Sequence, residues 1–331
     1  MIRKNTFLNL YLVLIVVILG GCSSKMLFQP YLSNHLVETE SQTFFYKDIP
    51  YDLKTLTKFD IIIPKSNKSV PLIIFIHGGG FSGGDKSDVY NRGKFADEIK
   101  LLTARGIAYA TINYRLLGTS DSLYIMSCLR DAKRCLQFIR YHAKEFNLDE
   151  NRIGLYGGSA GAGTCLWLSM SEDMKDNSSS DPVEKKSTRV KAVAVYATQG
   201  TYDLYKWDEI FMAYSMSDED IAKMIGYSKI EKLYGMNSIN EMHNVEILKL
   251  RKNLDLGDLI TMDDPPLWIE NPLKTNQKPS NVNELYHHYL HGEYLYNKAQ
   301  KAGINVYSSF PAIPFKSQNY LDVVDFFVKH L

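Results

Sequence analysis

Gly157-Gly158-Ser159-Ala160-Gly161 sets a serine between a predicted strand, Ile153-Gly154-Leu155-Tyr156, and a predicted helix, Ala160 to Met170. A serine on so tight a strand-to-helix turn holds its hydroxyl out of the sheet, and glycine or alanine neighbours relieve the crowding. The first amides of the helix favour negative charge as it develops there. A second motif, His77-Gly78-Gly79-Gly80-Phe81, follows the apolar run Leu72 to Ile76. Successive glycines let backbone amides converge on one point, which suits an oxyanion hole worth about 3 kcal/mol per donor. Ala160, next to the serine, is expected to supply the other amide. His77 heads this loop and reads as a structural hydrogen-bonding residue rather than a base. Each glycine run alone is a common turn. Together, in this order and both at strand ends, they point to acyl transfer through a serine.

The elements needed to position these motifs alternate strand and helix, the pattern of an α/β sheet. Phe44-Phe45-Tyr46 and Phe59 to Ile63 read as early strands, and Leu72 to Ile76 as a strand covered on both faces. A helix is predicted over 90–104, a strand over 107–114 and a long amphipathic helix over 122–146. Val190 to Tyr196 and Pro266 to Ile269 continue the strands. They are followed by a helix over 288–302, a strand over 304–309 and a final helix over 317–330. Between about 200 and 262 the periodicity weakens in a stretch rich in tyrosine, tryptophan and phenylalanine. One domain with an aromatic insertion fits better than two domains, and the insertion is expected to shape an acyl or sugar site.

Composition agrees with a globular chain. The 331 residues are 45% apolar and 23% charged, which excludes disorder, collagen and coiled coil. Lysine and arginine number 38 against 37 aspartates and glutamates. Neither a basic surplus nor a basic stripe is present, so no nucleic-acid partner is expected. Cys128 and Cys135 lie seven apart in a predicted helix, roughly 10 Å along its axis, too far to bridge. Buried thiols are expected, with no disulfide framework, no metal site and no cofactor.

Arg3 and Lys4 precede an apolar stretch, Leu10 to Leu19, too short to span roughly 30 Å of hydrocarbon. Charge, a short apolar run and then small residues form a secretory signal pattern. Leu19-Gly20-Gly21-Cys22 resembles a bacterial lipobox, in which the cysteine is lipidated. Ser23 follows it, so lipid anchorage in the cell envelope, at the outer membrane of a Gram-negative bacterium, is expected. Residues 1–21 then form the signal, 22–42 a tether and 43–331 the domain.

The chain resembles α/β-hydrolases of the carboxylesterase and hormone-sensitive-lipase-like kind. The elbow and the glycine loop carry the likeness, with Gly83-Gly84-Asp85, Asn113-Tyr114-Arg115-Leu116 and Asp131 in support. "HGGGFSGGDK" is similar to the segment found in bifunctional feruloyl and acetyl-xylan esterases. The resemblance implies a mostly parallel central sheet with helices on both faces. It implies cofactor-free cleavage of acyl esters, small-molecule or polysaccharide, through Ser159, with Gly79, Gly80 and Ala160 as oxyanion donors.

The family places its acid after the strand Pro265 to Asn271 and its histidine in the loop after strand 304–309. That second loop, Ser309 to Lys316, contains no histidine. The eight histidines are His35, in the tether, His77, His142, on the exposed side of a helix, His243, His287, His288, His291 and His330. The cluster Glu284-Leu285-Tyr286-His287-His288-Tyr289-Leu290-His291 lies at the carboxyl edge of the sheet, where ligands bind. His287 or His288 is the candidate base, the alternative being that they cap a helix start. Glu284 is the first candidate acid, with Glu270 and Asp264 behind it. The leading reading is a lipid-anchored serine esterase acting on acetyl or feruloyl esters. Its rival is a binding protein on a hydrolase fold that has lost its histidine; a peptidase related to prolyl oligopeptidases ranks below both.

Overall fold

A computed structural model describes the backbone of residues 36–38 and residues 42–91, 93–118, 124–312 and 322–331. The signal, Cys22, His35 and most of the tether therefore lie outside the described residues. Among the described residues, nine strands build one sheet: β1 (Leu36–Glu38), β2 (Thr43–Pro50), β3 (Lys58–Pro64), β4 (Val70–Ile76), β5 (Ala108–Ile112), β6 (Leu148–Gly158), β7 (Ala192–Tyr196), β8 (Leu267–Glu270) and β9 (Val306–Ser309). Their order is β1-β2-β3-β5-β4-β6-β7-β8-β9. The pairs β1–β2, β2–β3 and β3–β5 are antiparallel, and every pair from β5 across to β9 is parallel. Residues 36–38, assigned to the tether from sequence, thus pair with β2 as an edge strand.

The apolar run in β4 is explained by cover on both sides. Ile74 and Ile76 face one core, with Leu155, Val193, Val195 and Ile269. Ile73 and Phe75 face the other, with Tyr109, Tyr156, Ala194 and Trp268. Side chains alternate along a strand, so a strand buried on both faces shows no polar alternation. Helices Ile125–Tyr141 and Ala160–Met170 cover the first face, and helices Gly93–Ala104 and Val323–His330 the second. All eleven residues of Ala160–Met170 are buried. Cys128, Cys135 and Cys165 are buried free thiols in the first core.

Several predicted boundaries move for local reasons. The long helix ends at Tyr141, because His142 leaves helical geometry and Asn147, at φ 54°, turns the chain into β6. The last helix starts at Val323, where the Asp322 carboxylate accepts from the Asp325 amide; its predicted first residues lie outside the described residues. The helix predicted over 288–302 is observed as Tyr289–Ala302; a further short helix, Val282–His287, precedes it and is set off by an extended His288 at φ −62° and ψ 142°. The 200–262 stretch folds as short helices and turns, including Trp207–Ile210, Asp218–Ile225, Tyr227–Tyr234 and Val245–Asn253.

β4 and β6 are neighbours, with Ile76 opposite Gly157. The glycine loop and the serine turn therefore leave the sheet side by side at its carboxyl edge.

Candidate active site

Ser159 sits at φ 50° and ψ −118°, a strained backbone for a residue with a side chain. Its amide donates to the Tyr196 carbonyl at 2.9 Å, and its carbonyl accepts from the Gly163 amide at 3.2 Å. The turn tolerates no bulk behind it: a Cβ on Gly161 would lie 2.0 Å from the Ile76 carbonyl oxygen. This accounts for the last glycine of the pentapeptide. Ser159 opens on a cavity of about 620 Å³ lined also by Gly78, Gly79 and Gly80. Ala160 is the first residue of the helix that leaves the turn.

The glycine loop is held from below. Gly79 has φ 108°, and a Cβ there would stand 2.1 Å from the Gly83 carbonyl oxygen. The Gly79 carbonyl itself accepts from the Ser82 and Gly83 amides. His77 is buried, with Nδ1 2.7 Å from the Gly78 carbonyl and its ring stacked on Tyr114 at 4.4 Å. The Tyr114 hydroxyl donates to the His77 carbonyl at 2.8 Å. Farther along, Asn113 Nδ2 donates to Asp85 at 2.7 Å, and Arg115 forks onto both oxygens of Asp131 at 2.8 Å. The conspicuous polar residues after the loop and after β5 are thus its scaffold.

The histidine cluster separates into three environments. His287 turns Nε2 to 2.9 Å from Ser159 Oγ and shares the cavity wall. His288 is fully buried, with Nε2 3.0 Å from the Gln277 carbonyl, and its Nδ1 accepts from the Leu290 amide at the start of Tyr289–Ala302. His291 is also buried, accepting from the Gly200 amide and bonded to the Leu285 carbonyl at 3.0 Å. Of the two candidate bases, the structure brings His287 to the serine and uses His288 as a helix cap.

The break after His287 is secured by residues that sequence reasoning missed. Asn271 is fully buried and donates through Nδ2 to the His287 carbonyl at 2.8 Å and the His288 carbonyl at 3.2 Å. Gln199 donates to the Tyr286 carbonyl at 2.9 Å. The last carbonyls of a helix have no partner within it. Here Asn271, Gln199 and His291 satisfy four in a row, from Leu285 to His288. No local pattern announces Asn271 or Gln199, because the carbonyls they hold are 16 or more positions away.

The expectation for the acid needs correction. The Glu284 carboxylate accepts from the Ser280 amide at 2.7 Å and the Ser280 hydroxyl at 2.8 Å, bonds that hold its pKa down. His287 Nδ1 instead meets Asn283 Oδ1 at 3.1 Å. Asn283 stands one turn before His287 on the same helix, the i, i+4 spacing by which the pair could have been noticed. Glu270 pairs with Lys94, which lies over the Tyr196 ring. Asp264 accepts from Arg189 at 3.0 Å and from the Thr261 amide at 2.7 Å. Both carboxylates brace the scaffold.

Two further expectations change. His142 is not on an exposed side: its side chain is 14% exposed, packed against Phe138, and burial lowers its pKa. The aromatic insertion lines none of the cavity beside Ser159. It backs the histidine helices, with Trp207 at 4.5 Å from the His291 ring and Phe211 at 5.4 Å from His288. The cavity wall comes from Val89, Phe95, Tyr196, Leu273 and Tyr286.

A neutral imidazole at hydrogen-bond distance from a serine hydroxyl can take its proton. Burial lowers the His287 pKa, and a hydrogen bond to the Asn283 backbone partly offsets this, so the free base is favoured. Among the described residues, no three histidine, cysteine or acidic side chains are grouped to hold a metal ion.

Residues 59–247, more than half of the chain, match the BD-FAE family. The chain belongs to the BD-FAE family. This BD-FAE chain is 34% identical over 125 residues to Gut esterase 1 of Caenorhabditis elegans, covering 36% of itself and 21% of that protein. It thus spans about a fifth of that curated relative's length. Among solved structures it resembles the acetyl ester-xyloside bifunctional hydrolase of Caldicellulosiruptor lactoaceticus. That match has a TM-score of 0.53 and 20% identity, over 88% of this chain and 82% of the other. A truncated carbohydrate esterase from gut microbiota matches with a TM-score of 0.58 and 17% identity, over 89% and 99%. These likenesses show that the BD-FAE chain has the α/β-hydrolase fold.

Proposed function

We propose that the protein is a serine esterase that cleaves carboxylic acyl esters through an acyl-enzyme. The observation that carries this reading is the 2.9 Å approach of His287 Nε2 to Ser159 Oγ at a cavity wall. In the first half-reaction Oγ bonds to the acyl carbon while its proton passes to Nε2. The carbonyl electron pair moves onto oxygen, facing the amides of Gly79, Gly80 and Ala160. Collapse of that adduct breaks the bond to the leaving alkoxide, which takes the proton from Nε2. Water then attacks the acyl-serine, again giving its proton to Nε2, and the acid leaves with Oγ reprotonated. General-base help of this kind contributes roughly 10²–10⁴-fold, and each oxyanion donor about 3 kcal/mol.

The family, and likenesses to proteins named as esterases, support an ester substrate. Relatives named an acetyl ester-xyloside hydrolase and a carbohydrate esterase favour acyl groups on polysaccharides, acetyl or feruloyl. The mostly apolar wall of Val89, Phe95 and Leu273 suits the acyl part. The rival binding-protein reading rested on a missing histidine, and the approach of His287 to Ser159 favours catalysis instead. Lipid attachment through Cys22 remains part of the proposal, resting on the sequence around it. Mass spectrometry finding an unmodified Met1 would remove it.

The test is hydrolysis of p-nitrophenyl acetate by the wild type beside Ser159→Ala, with labelling by a serine-directed phosphonate. Turnover by the wild type, its loss in the variant and a label on Ser159 are expected. Equal rates for the two proteins would overturn the proposal.

A further inference from the structure

We propose that Asn283 is the positioning residue of His287, its amide carbonyl fixing the Nδ1–H tautomer in the place where a carboxylate would otherwise stand. In turnover this role rests on the esterase reading of the same site. Asn283 Oδ1 lies 3.1 Å from His287 Nδ1. A carbonyl oxygen can only accept, so it selects the imidazole whose proton is on Nδ1. The lone pair of Nε2 is then left facing Ser159 Oγ at 2.9 Å.

An amide does this without charge. A carboxylate in this position would orient the ring and also stabilise the imidazolium formed when Nε2 takes the serine proton. Among the described residues, no carboxylate contributes to the shift at His287. On the cavity side stand Asp88, His77 and Tyr196, with Ser159 itself. From its own helix come Tyr286 and Glu284, the latter bonded to Ser280. Behind it lie His288 and His291, both of whose pKa values burial lowers. Burial lowers the His287 pKa and the Asn283 backbone partly restores it, while the Asn283 side chain meets Nδ1 at 3.1 Å. His287 should be a correctly oriented but weakly basic proton acceptor.

The position also tolerates the informative change. Asn283 is exposed and lies in the first turn of Val282–His287. A negative side chain is favourable near a helix N-terminus.

Nitrogen-15 NMR of the histidine side chains reads the tautomer and pKa directly, in the wild type, Asn283→Ala and Asn283→Asp. The wild type should show His287 as the Nδ1–H form, and Asn283→Ala should lose that preference. Asn283→Asp should keep the tautomer and raise the His287 pKa by about one unit. With p-nitrophenyl acetate, Asn283→Ala should lower kcat roughly 10- to 100-fold at little cost in KM. Asn283→Asp should restore it and move the acid limb of kcat/KM upward with the NMR pKa. An unchanged tautomer and pKa in both variants would overturn the proposal. Should the wild type prove inactive on esters, the esterase reading falls, and the NMR result alone decides the role of Asn283.

Discussion

His287 directs Nε2 to Ser159 Oγ at 2.9 Å, while His288, the next residue, is wholly buried with Nε2 3.0 Å from the Gln277 carbonyl. The extended backbone at His288 produces this divergence. Replacing the two should therefore fail in different ways. His287→Ala should lower kcat at least about a hundredfold with its Tm near that of the wild type. His288→Ala leaves a void beside Phe211 and Tyr214 and strips the Gln277 carbonyl and Leu290 amide of a partner. It should cost about 2–4 kcal/mol in urea unfolding, with kcat per folded molecule largely retained.

The acid limb of kcat/KM should have its midpoint below the ordinary histidine value of 6.5. Burial disfavours the imidazolium, so His287 stays a free base to lower pH, and activity is lost only when pH falls through its lowered pKa. A pH profile of kcat/KM on a neutral ester checks this. A midpoint above 6.5 would show that a carboxylate reaches the ring.

The two glycine motifs were legible because each depends on backbone geometry within a few residues. Gly161 must let the helix approach the Ile76 carbonyl, and Gly79 must adopt a positive φ. The alternation of buried strands and covering helices was legible for the same reason. The base was only half legible. His287 and His288 share one sequence neighbourhood, and the choice between them is made by Asn271, Gln199 and His291, which hold the helix end from three separate segments. Glu284 was favoured by family offset and by its charge, yet Ser280 sits close enough to engage that charge. The insertion's aromatic residues suggested a substrate wall, whereas their rings pack behind the histidines.

Gly79→Ala should separate oxyanion geometry from folding. The new methyl group would stand 2.1 Å from the Gly83 carbonyl oxygen at a backbone angle unsuited to alanine. The loop must shift to relieve this, carrying its amides off target. A fall in kcat of roughly 10²–10³-fold is expected, with retained near-ultraviolet circular dichroism. Unaltered kcat would remove this loop from the mechanism.

Glu98 offers a stability test away from the chemistry. Burial raises its pKa to about 7, partly countered by Lys94 and by the Tyr156 hydroxyl. Between the ordinary 4.5 and about 7 the folded protein holds this proton while the unfolded chain releases it. The stabilising contribution is complete below 4.5 and fades as pH rises through 7. The loss is up to about 3 kcal/mol. Glu98→Gln should remove this dependence, so the Tm of the variant should gain on the wild type as pH goes from 5 to 8. A constant difference across that range would contradict it.

Trp207, Phe211 and Tyr214 give the insertion a consequence for heat tolerance. They clasp His288 and His291 through ring contacts at 4.5–5.5 Å. The proton carrier thus hangs from a clasp of short helices, whereas its serine is rooted in the sheet. Regions of a protein open with different free energies. On warming, the clasp should loosen first, so that turnover fades and recovers on cooling while the strands are still intact.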